Sequence, residues 1–393
     1  MMANDFGAEA LRVSYSIENL RRLKKTPLVD LRPITILLGR NSAGKSTFLR
    51  SLLLFKQSLS LAASAPILWY GDVVDFGDFD AALNRSAEGG SIRFTFKVDI
   101  IKYDYSVRKF RYQEQSVEEK DVSVGISICK KNNKTVLEYY DVNLDFGKCS
   151  VRFYTGESSA EFVNIEVNGV VFDYFDENVH FIVREGDVFA APFPIRRIQK
   201  SGNNQYVYFD VEETIIDLMT AELDKVADAR LSKVTIRGQA QKILTCPNYS
   251  AQTANDRARK ESGAVKKLYS KIASSERLVS RINIYCSFLR VWRLLPHIEN
   301  ELTAYLKSVQ NIAPARVQSE RYYRKQELQV SDISPNGHNL PIVLASWGHF
   351  KVKEFSSWLK KHFGFGIDIT DSAGHISIEL LDRSSKTNVV DTG

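Results

Sequence analysis

Gly39-Arg40-Asn41-Ser42-Ala43-Gly44-Lys45-Ser46 places two glycines, a lysine and a hydroxyl at the spacing GxxxxGK[ST]. The chemistry this implies is phosphate binding. Gly39 and Gly44 let the backbone turn sharply and approach phosphate oxygens with no Cβ in the way. Successive N–H groups then line one concavity, an anion nest. A helix starting at Lys45 adds its unpaired N–H groups and the positive end of its dipole. Lys45 would reach the β- and γ-phosphates as a point charge, and the Ser46 hydroxyl would ligate Mg²⁺. The candidate nucleotide-binding residues are therefore Gly39, Arg40, Asn41, Ser42, Ala43, Gly44, Lys45, Ser46 and Thr47, with ATP and Mg²⁺ as the ligands.

Such a loop needs a strand before it and a helix after it. Leu11–Leu20 alternates around Val13, Tyr15 and Ile17, and Lys24-Lys25-Thr26-Pro27 then turns the chain. The apolar run Ile34-Thr35-Ile36-Leu37-Leu38 reads as a strand buried on both faces, leading straight into the loop. From Lys45 to about Leu61 the chain is dense in Leu and Phe and reads as a helix. Residues 91–185 alternate polar and apolar, with turn signals at Asn132-Asn133 and Asn168-Gly169, and predict antiparallel strands. From about Val211 to Val309 the pattern turns helical, with a polar loop expected over 246–264. A helix around Phe350–Phe363 and strands at Phe365–Thr370 and His375–Leu381 close the chain. No internal repeat or sustained heptad is present.

The fold class expected is α/β: a P-loop ATPase core with a mixed sheet, an antiparallel β subdomain and a helical insertion. The expected divisions are 1–90 for the N-terminal part of the P-loop lobe and 91–208 for the β-rich subdomain. A helical, partly basic subdomain would span 209–310, and 311–393 would begin a second lobe.

Composition narrows the class further. The chain has 393 residues, 44% hydrophobic and 25% charged, which suits a large ordinary core. Its four cysteines (129, 149, 246, 286) form no CxxC pair, and its six histidines show no metal-binding spacing, so neither a disulfide framework nor zinc is expected. The start has no basic-then-apolar leader, and the most apolar stretch, Phe48–Leu61, is interrupted by Arg50 and Lys56. A cytoplasmic location without membrane contact is the expectation.

The net charge of +6 is unevenly spread. Arg230–Arg281 carries twelve Lys or Arg against Asp256, Glu261 and Glu276, a net of +9. Such a face attracts polyanions, so nucleic acid is a candidate partner, with a solvated helical surface as the plainer reading. Its densest part holds one aromatic residue, Tyr269, which gives little support for base stacking. Asp75, Asp78 and Asp80 form an acidic cluster, read as a turn with solvated carboxylates rather than a metal site. Gln57 lies on the loop's own helix and is discounted as a metal contact, and Arg316 and Arg321 read equally as phosphate forks or surface pairs.

The run Ile34–Leu49 resembles the N-terminal lobe of ABC-type ATPases of the SMC, RecF and OLD group, in which Asn41 and Lys45-Ser46-Thr47 are typical. Ile17-Glu18-Asn19-Leu20-Arg21 resembles the group's first strand. Ile312-Ala313-Pro314-Ala315-Arg316, Arg321-Tyr322-Tyr323, Pro335-Asn336-Gly337 and Asn339-Leu340-Pro341 resemble the start of the second lobe in OLD-like members. The wording around the loop and at Trp69–Gly77 is most similar to ATPase components of bacterial anti-phage systems of the PARIS kind.

The resemblance implies a homo-oligomer with a composite ATP site and an effector partner, a Toprim-type nuclease or a toxin. It also implies a signature loop and a Walker B strand ending in Asp-Glu, and neither is found. Phe181–Glu185 lacks the Asp, and Ser377–Arg383 has its acids misplaced. Asn388–Gly393 resembles the lead-in to the signature loop, so a chain stopping before its second catalytic half is expected, with weak or absent ATPase activity alone. Two alternatives stand beside the defence ATPase. One is a DNA-processing ATPase of the SMC/RecF type. The other is a nucleotide-gated scaffold holding a toxin or nuclease without turnover.

Overall fold

The computed structural model describes residues 12–392 apart from 42, 61–64, 88, 105–115, 146–147, 157–160, 176–177, 183–188, 190–191, 201–202, 247, 313–319, 321, 325–332, 373 and 383–385. The chain divides into two compact units, Met1–Lys307 and Ser308–Gly393.

The first unit opens with β1 (Val13–Leu20), β2 (Leu23–Lys25), β3 (Val29–Leu31), α1 (Lys45–Ser60) and α2 (Phe79–Ala82). A long run of strands follows: β4 (Ser91–Asp104), β5 (Ser116–Lys131), β6 (Lys134–Leu144), β7 (Cys149–Thr155), β8 (Glu161–Val167), β9 (Val170–Val171), β10 (Val179–Ile182), β11 (Phe193–Lys200) and β12 (Asn203–Tyr208). Five helices end the unit: α3 (Val211–Asp224), α4 (Lys233–Leu244), α5 (Ala251–Lys260), α6 (Gly263–Ala273) and α7 (Glu276–Ser308).

All twelve strands join one sheet in the order β12-β11-β10-β8-β7-β6-β5-β4-β1-β2, with β3 on β1 and β9 on β8. Every described ladder in it is antiparallel, so the mixed sheet expected for the core is not found among the described residues. The β-rich stretch continues directly from β1 through β4. Sequence turn signals hold where backbone geometry demands them. Asn132 and Asn133 both take positive φ between β5 and β6, and Asn168-Gly169 does the same between β8 and β9.

Two aromatic clusters fasten helices to this sheet. Tyr15 stacks on Phe96 at 4.7 Å, and Phe55 of α1 meets Phe94 edge-on at 4.8 Å. Further along, Phe172 stacks on Phe288 of α7 at 4.5 Å. Arg290 of α7 makes a fork to both oxygens of Glu119, each at 2.7 Å, and also pairs with Asp145. These contacts hold Asp145 below the usual carboxylate range, the Arg290 hydrogen bond being the main cause.

The expected polar loop over 246–264 instead contains α5. Ser250 caps it by accepting the Thr253 N–H at 3.2 Å, and Ala254 and Ala258, one turn apart, bury a narrow apolar stripe. Two alanines are too slight an apolar signal to stand out in a polar window.

The second unit is a four-stranded antiparallel sheet of β13 (Tyr323–Arg324), β14 (Gly366–Ser372), β15 (His375–Leu381) and β16 (Lys386–Asn388). It carries α8 (Leu340–Ser346) and α9 (His349–Phe363). Leu344, Ile367 and Ile378 form its core. Lys386 bridges Asp368 at 2.9 Å and Glu379 at 2.6 Å, and these two bonds raise its pKa to about 12.

Candidate functional site

The glycine-rich loop leads directly into α1. Gly44 sits at φ +96°, a backbone state open to glycine, and a Cβ there would lie 2.4 Å from Leu23 Cδ2. Two requirements for glycine therefore coincide at one position. The Ala43 N–H donates to the Arg40 carbonyl at 3.2 Å, closing the turn, and the Phe48 N–H donates to the Gly44 carbonyl at 2.9 Å, starting the helix. Lys45 Nζ folds back over the loop and donates to the carbonyls of Gly39 at 2.7 Å and Arg40 at 2.8 Å. Gly39, Arg40, Asn41, Ala43 and Ser46 are exposed, with Thr47 half-buried, so the loop is open to a ligand. Ser42 lies outside the described residues.

The helix behind the loop is firmly held. Tyr15 Oη donates to Ser51 Oγ at 2.9 Å, and Ser51 Oγ donates to the Phe48 carbonyl at 2.6 Å. Burial pushes the Tyr15 phenol far above its ordinary pKa, so it remains a neutral donor. Gln57 is buried, and its amide is fully engaged. Nε2 donates to the Leu68 carbonyl at 2.8 Å, while Oε1 accepts the Val73 and Val74 N–H groups at 3.1 and 3.0 Å. It pins the 68–74 segment against α1. Arg21 and Arg50 both reach the Asp75 carbonyl and lie over the Phe76 ring at 4.6 and 5.8 Å.

The segment before the loop departs from expectation. Ile34–Leu38 forms no strand, and Ile34, Ile36 and Leu38 are 84%, 74% and 88% exposed. Both edges of β1 are already taken, by β4 on one side and by β3 and β2 on the other. An apolar run without a neighbour to supply ladder partners stays irregular and wet.

The acidic cluster resolves into turn chemistry. Asp75 accepts the Gly77 N–H at 2.7 Å, Asp78 caps α2 through the Ala81 N–H at 2.8 Å, and Asp80 pairs with Lys130. Among the described residues no group of His, Cys, Asp or Glu is arranged to hold a metal.

In the basic segment, seven of the twelve cations have protein partners. Arg237 pairs with Glu213 and Asp217, Arg281 with Glu222, Arg230 and Lys267 with Asp228, and Arg259 with Asp256. Lys271 donates to the Val226 carbonyl and Arg257 to Cys246. Most of those acids sit on or just after α3, outside the window that made the segment look strongly basic. Tyr269 is buried and donates to Gln239, so it offers no stacking face. Arg316 and Arg321 lie outside the described residues.

Leu23, which walls off the loop at Gly44, was not singled out by sequence. Its signal was an apolar residue immediately after the Arg21-Arg22 turn, and only the fold shows which glycine it meets.

An exposed glycine-rich turn, a lysine held over it and a hydroxyl on the first helical turn are the parts from which a phosphate-binding loop is built. The match to known families agrees: the family model described as AAA ATPase domain covers residues 13–342, and the chain belongs to that family. Membership makes it a nucleotide-binding ATPase domain, of a kind that ordinarily takes its nucleotide with Mg²⁺. Neither the curated proteins nor the solved structures yield a match. Among the described residues no helix is long and apolar enough to cross a membrane.

Proposed function

We propose that the chain binds ATP with Mg²⁺ through Gly39–Thr47 and uses binding to control assembly with further copies and with an effector protein. The observation that carries the binding step is the position of Lys45. Its ammonium rests on two loop carbonyls, Gly39 and Arg40, within reach of the concavity. An arriving triphosphate offers it full negative charge in place of two carbonyl dipoles, so the lysine swings onto the β- and γ-oxygens. The loop N–H groups and the start of α1 take the remaining oxygens. Ser46, exposed on the first turn of α1, supplies a hydroxyl to Mg²⁺, which shields the charge between β- and γ-phosphates. Gly39, Arg40, Asn41, Ser42, Ala43, Gly44 and Thr47 complete the cradle through their backbone.

The gating step is supported by the neighbouring surface. Ile34, Ile36 and Leu38 stand exposed immediately before the loop, so a partner seated there would feel whether the loop is filled. The loop and Trp69–Gly77 resemble the corresponding stretches of bacterial anti-phage ATPases, where the effector is a nuclease or toxin. In this reading residues 1–90, 91–208, 209–310 and 311–393 act as P-loop lobe, β-rich subdomain, helical subdomain and second-lobe segment.

Light scattering of the full chain with ATP and Mg²⁺, with ADP, and without nucleotide tests the gating step. An increase in mass with ATP, absent in Lys45→Ala, is expected. A mass independent of nucleotide in both proteins would remove assembly control from the account.

A further inference from the structure

Helix α9 combines cations and aromatic rings in a way the basic segment of the first unit does not. Its sequence, HFKVKEFSSWLKKHF, holds four lysines and one glutamate. The inner side is occupied: Val352 is buried, Phe355 and Leu359 pack on the Leu344–Ile367–Ile378 core, and Ser356 Oγ accepts the Ile367 N–H at 2.8 Å.

The outer side is not. Phe350, Glu354, Trp358 and Lys361 follow one another at spacings of four, four and three, which puts them in one stripe, and Lys351 lies over the Trp347 ring at 4.7 Å. Phe350 is 77% exposed and Trp358 is 49% exposed, and their Cα atoms lie about 12 Å apart along the axis at 1.5 Å per residue. Trp358 packs against three neighbouring rings and remains half exposed. It lies nearly parallel to Phe355 at 6.1 Å and against His362 at 5.0 Å. Lys351, Lys353, Lys360 and Lys361 are all exposed around the rings.

Exposed rings set among ammonium groups suit a ligand that is both aromatic and polyanionic. We infer that the outer face of α9 binds a single strand of nucleic acid. Bases stack on Trp358 and Phe350, and Lys351 and Lys361 neutralise phosphates. The other surfaces that bind basic helices fit less well. A membrane helix buries its apolar side in lipid, and the apolar side of α9 is packed on its own core. An acidic peptide would use the lysines but gain little from open rings. The hydroxyl of Ser357, the neutral polar group between the rings, donates to the Lys353 carbonyl at 2.8 Å. Base stacking and phosphate neutralisation do not distinguish the two sugars, so DNA and RNA strands bind alike.

The test is fluorescence anisotropy of the full chain with labelled oligothymidylate of about 15 nucleotides, without ATP, across a salt series. Phe350→Ala removes an exposed ring with no effect on the core, and it should weaken binding about tenfold. Trp358→Ala should do at least as much, with circular dichroism checking that the helix persists. The pair Lys351→Ala/Lys361→Ala should flatten the log–log salt dependence by about 1.4, near 0.7 for each phosphate no longer neutralised. Oligouridylate should match oligothymidylate within about threefold. Lys260→Ala/Lys266→Ala, in the first unit, should leave affinity unchanged.

Absence of binding at low salt would overturn the inference. So would loss of binding in Lys260→Ala/Lys266→Ala with none in Phe350→Ala. Displacement of the oligonucleotide by a polyglutamate peptide at equal concentration of charge would reassign the face to an acidic protein.

Discussion

Two short apolar stretches precede the same functional loop, and they meet opposite fates. In β1, Val13, Tyr15 and Ile17 are wholly buried, with β4 on one edge, β3 and β2 on the other, and α1 against Tyr15. In the 34–38 run, Ile34, Ile36 and Leu38 point into solvent without a ladder. Both are rich in apolar residues, alternating in β1 and nearly continuous over 34–38. The difference is the availability of a neighbour. Alternation states which side chains would be buried if a partner arrives, and the partner must come from elsewhere in the fold or from another molecule.

Substitutions measured by urea unfolding make this contrast quantitative. The largest effect belongs to Ile17→Ala, which empties a fully buried site and should cost about 2–5 kcal/mol. Gly44→Ala comes next. The left-handed backbone alone should cost about 1–3 kcal/mol, with the Leu23 clash added. Removing that clash in Leu23→Ala/Gly44→Ala should leave the backbone penalty on the loop and so leave nucleotide binding impaired. Tyr15→Phe deletes one buried hydroxyl that donates to Ser51 and should cost about 0.5–1.5 kcal/mol. Ile36→Ala should stay within about 0.5 kcal/mol, as an exposed side chain does. If Ile36→Ala instead cost as much as Ile17→Ala, the 34–38 run would be buried in solution and the contrast would fail.

The same distinction governs what the sequence could show. The loop and α1 were legible because their chemistry is local: glycines, a lysine and a hydroxyl at fixed spacing, then an apolar helix. The hairpins at Asn132-Asn133 and Asn168-Gly169 were legible for the same reason, since residue type decides where positive φ is tolerated. Strand β15 and helix α9 fell at the expected residues because their apolar periods are clear. What stayed hidden depended on distant partners. The Ile34–Leu38 pattern could not reveal that β1 had both edges filled. The charge of Arg230–Arg281 could not reveal that Glu213, Asp217 and Glu222 of α3 pack against it. Helix α5 was hidden because its buried face is two alanines.

The central claim is that Gly39–Thr47 holds a nucleoside triphosphate through Lys45. Calorimetric titration of the full chain and of Lys45→Ala with ATP and Mg²⁺ tests it most directly, with phosphate release followed in the same samples to separate binding from turnover. The account predicts saturable binding by the wild-type chain, weakened by at least about tenfold when the lysine's charge-assisted bonds to phosphate are removed. Equal binding by both proteins, or none by the wild-type chain, would contradict it.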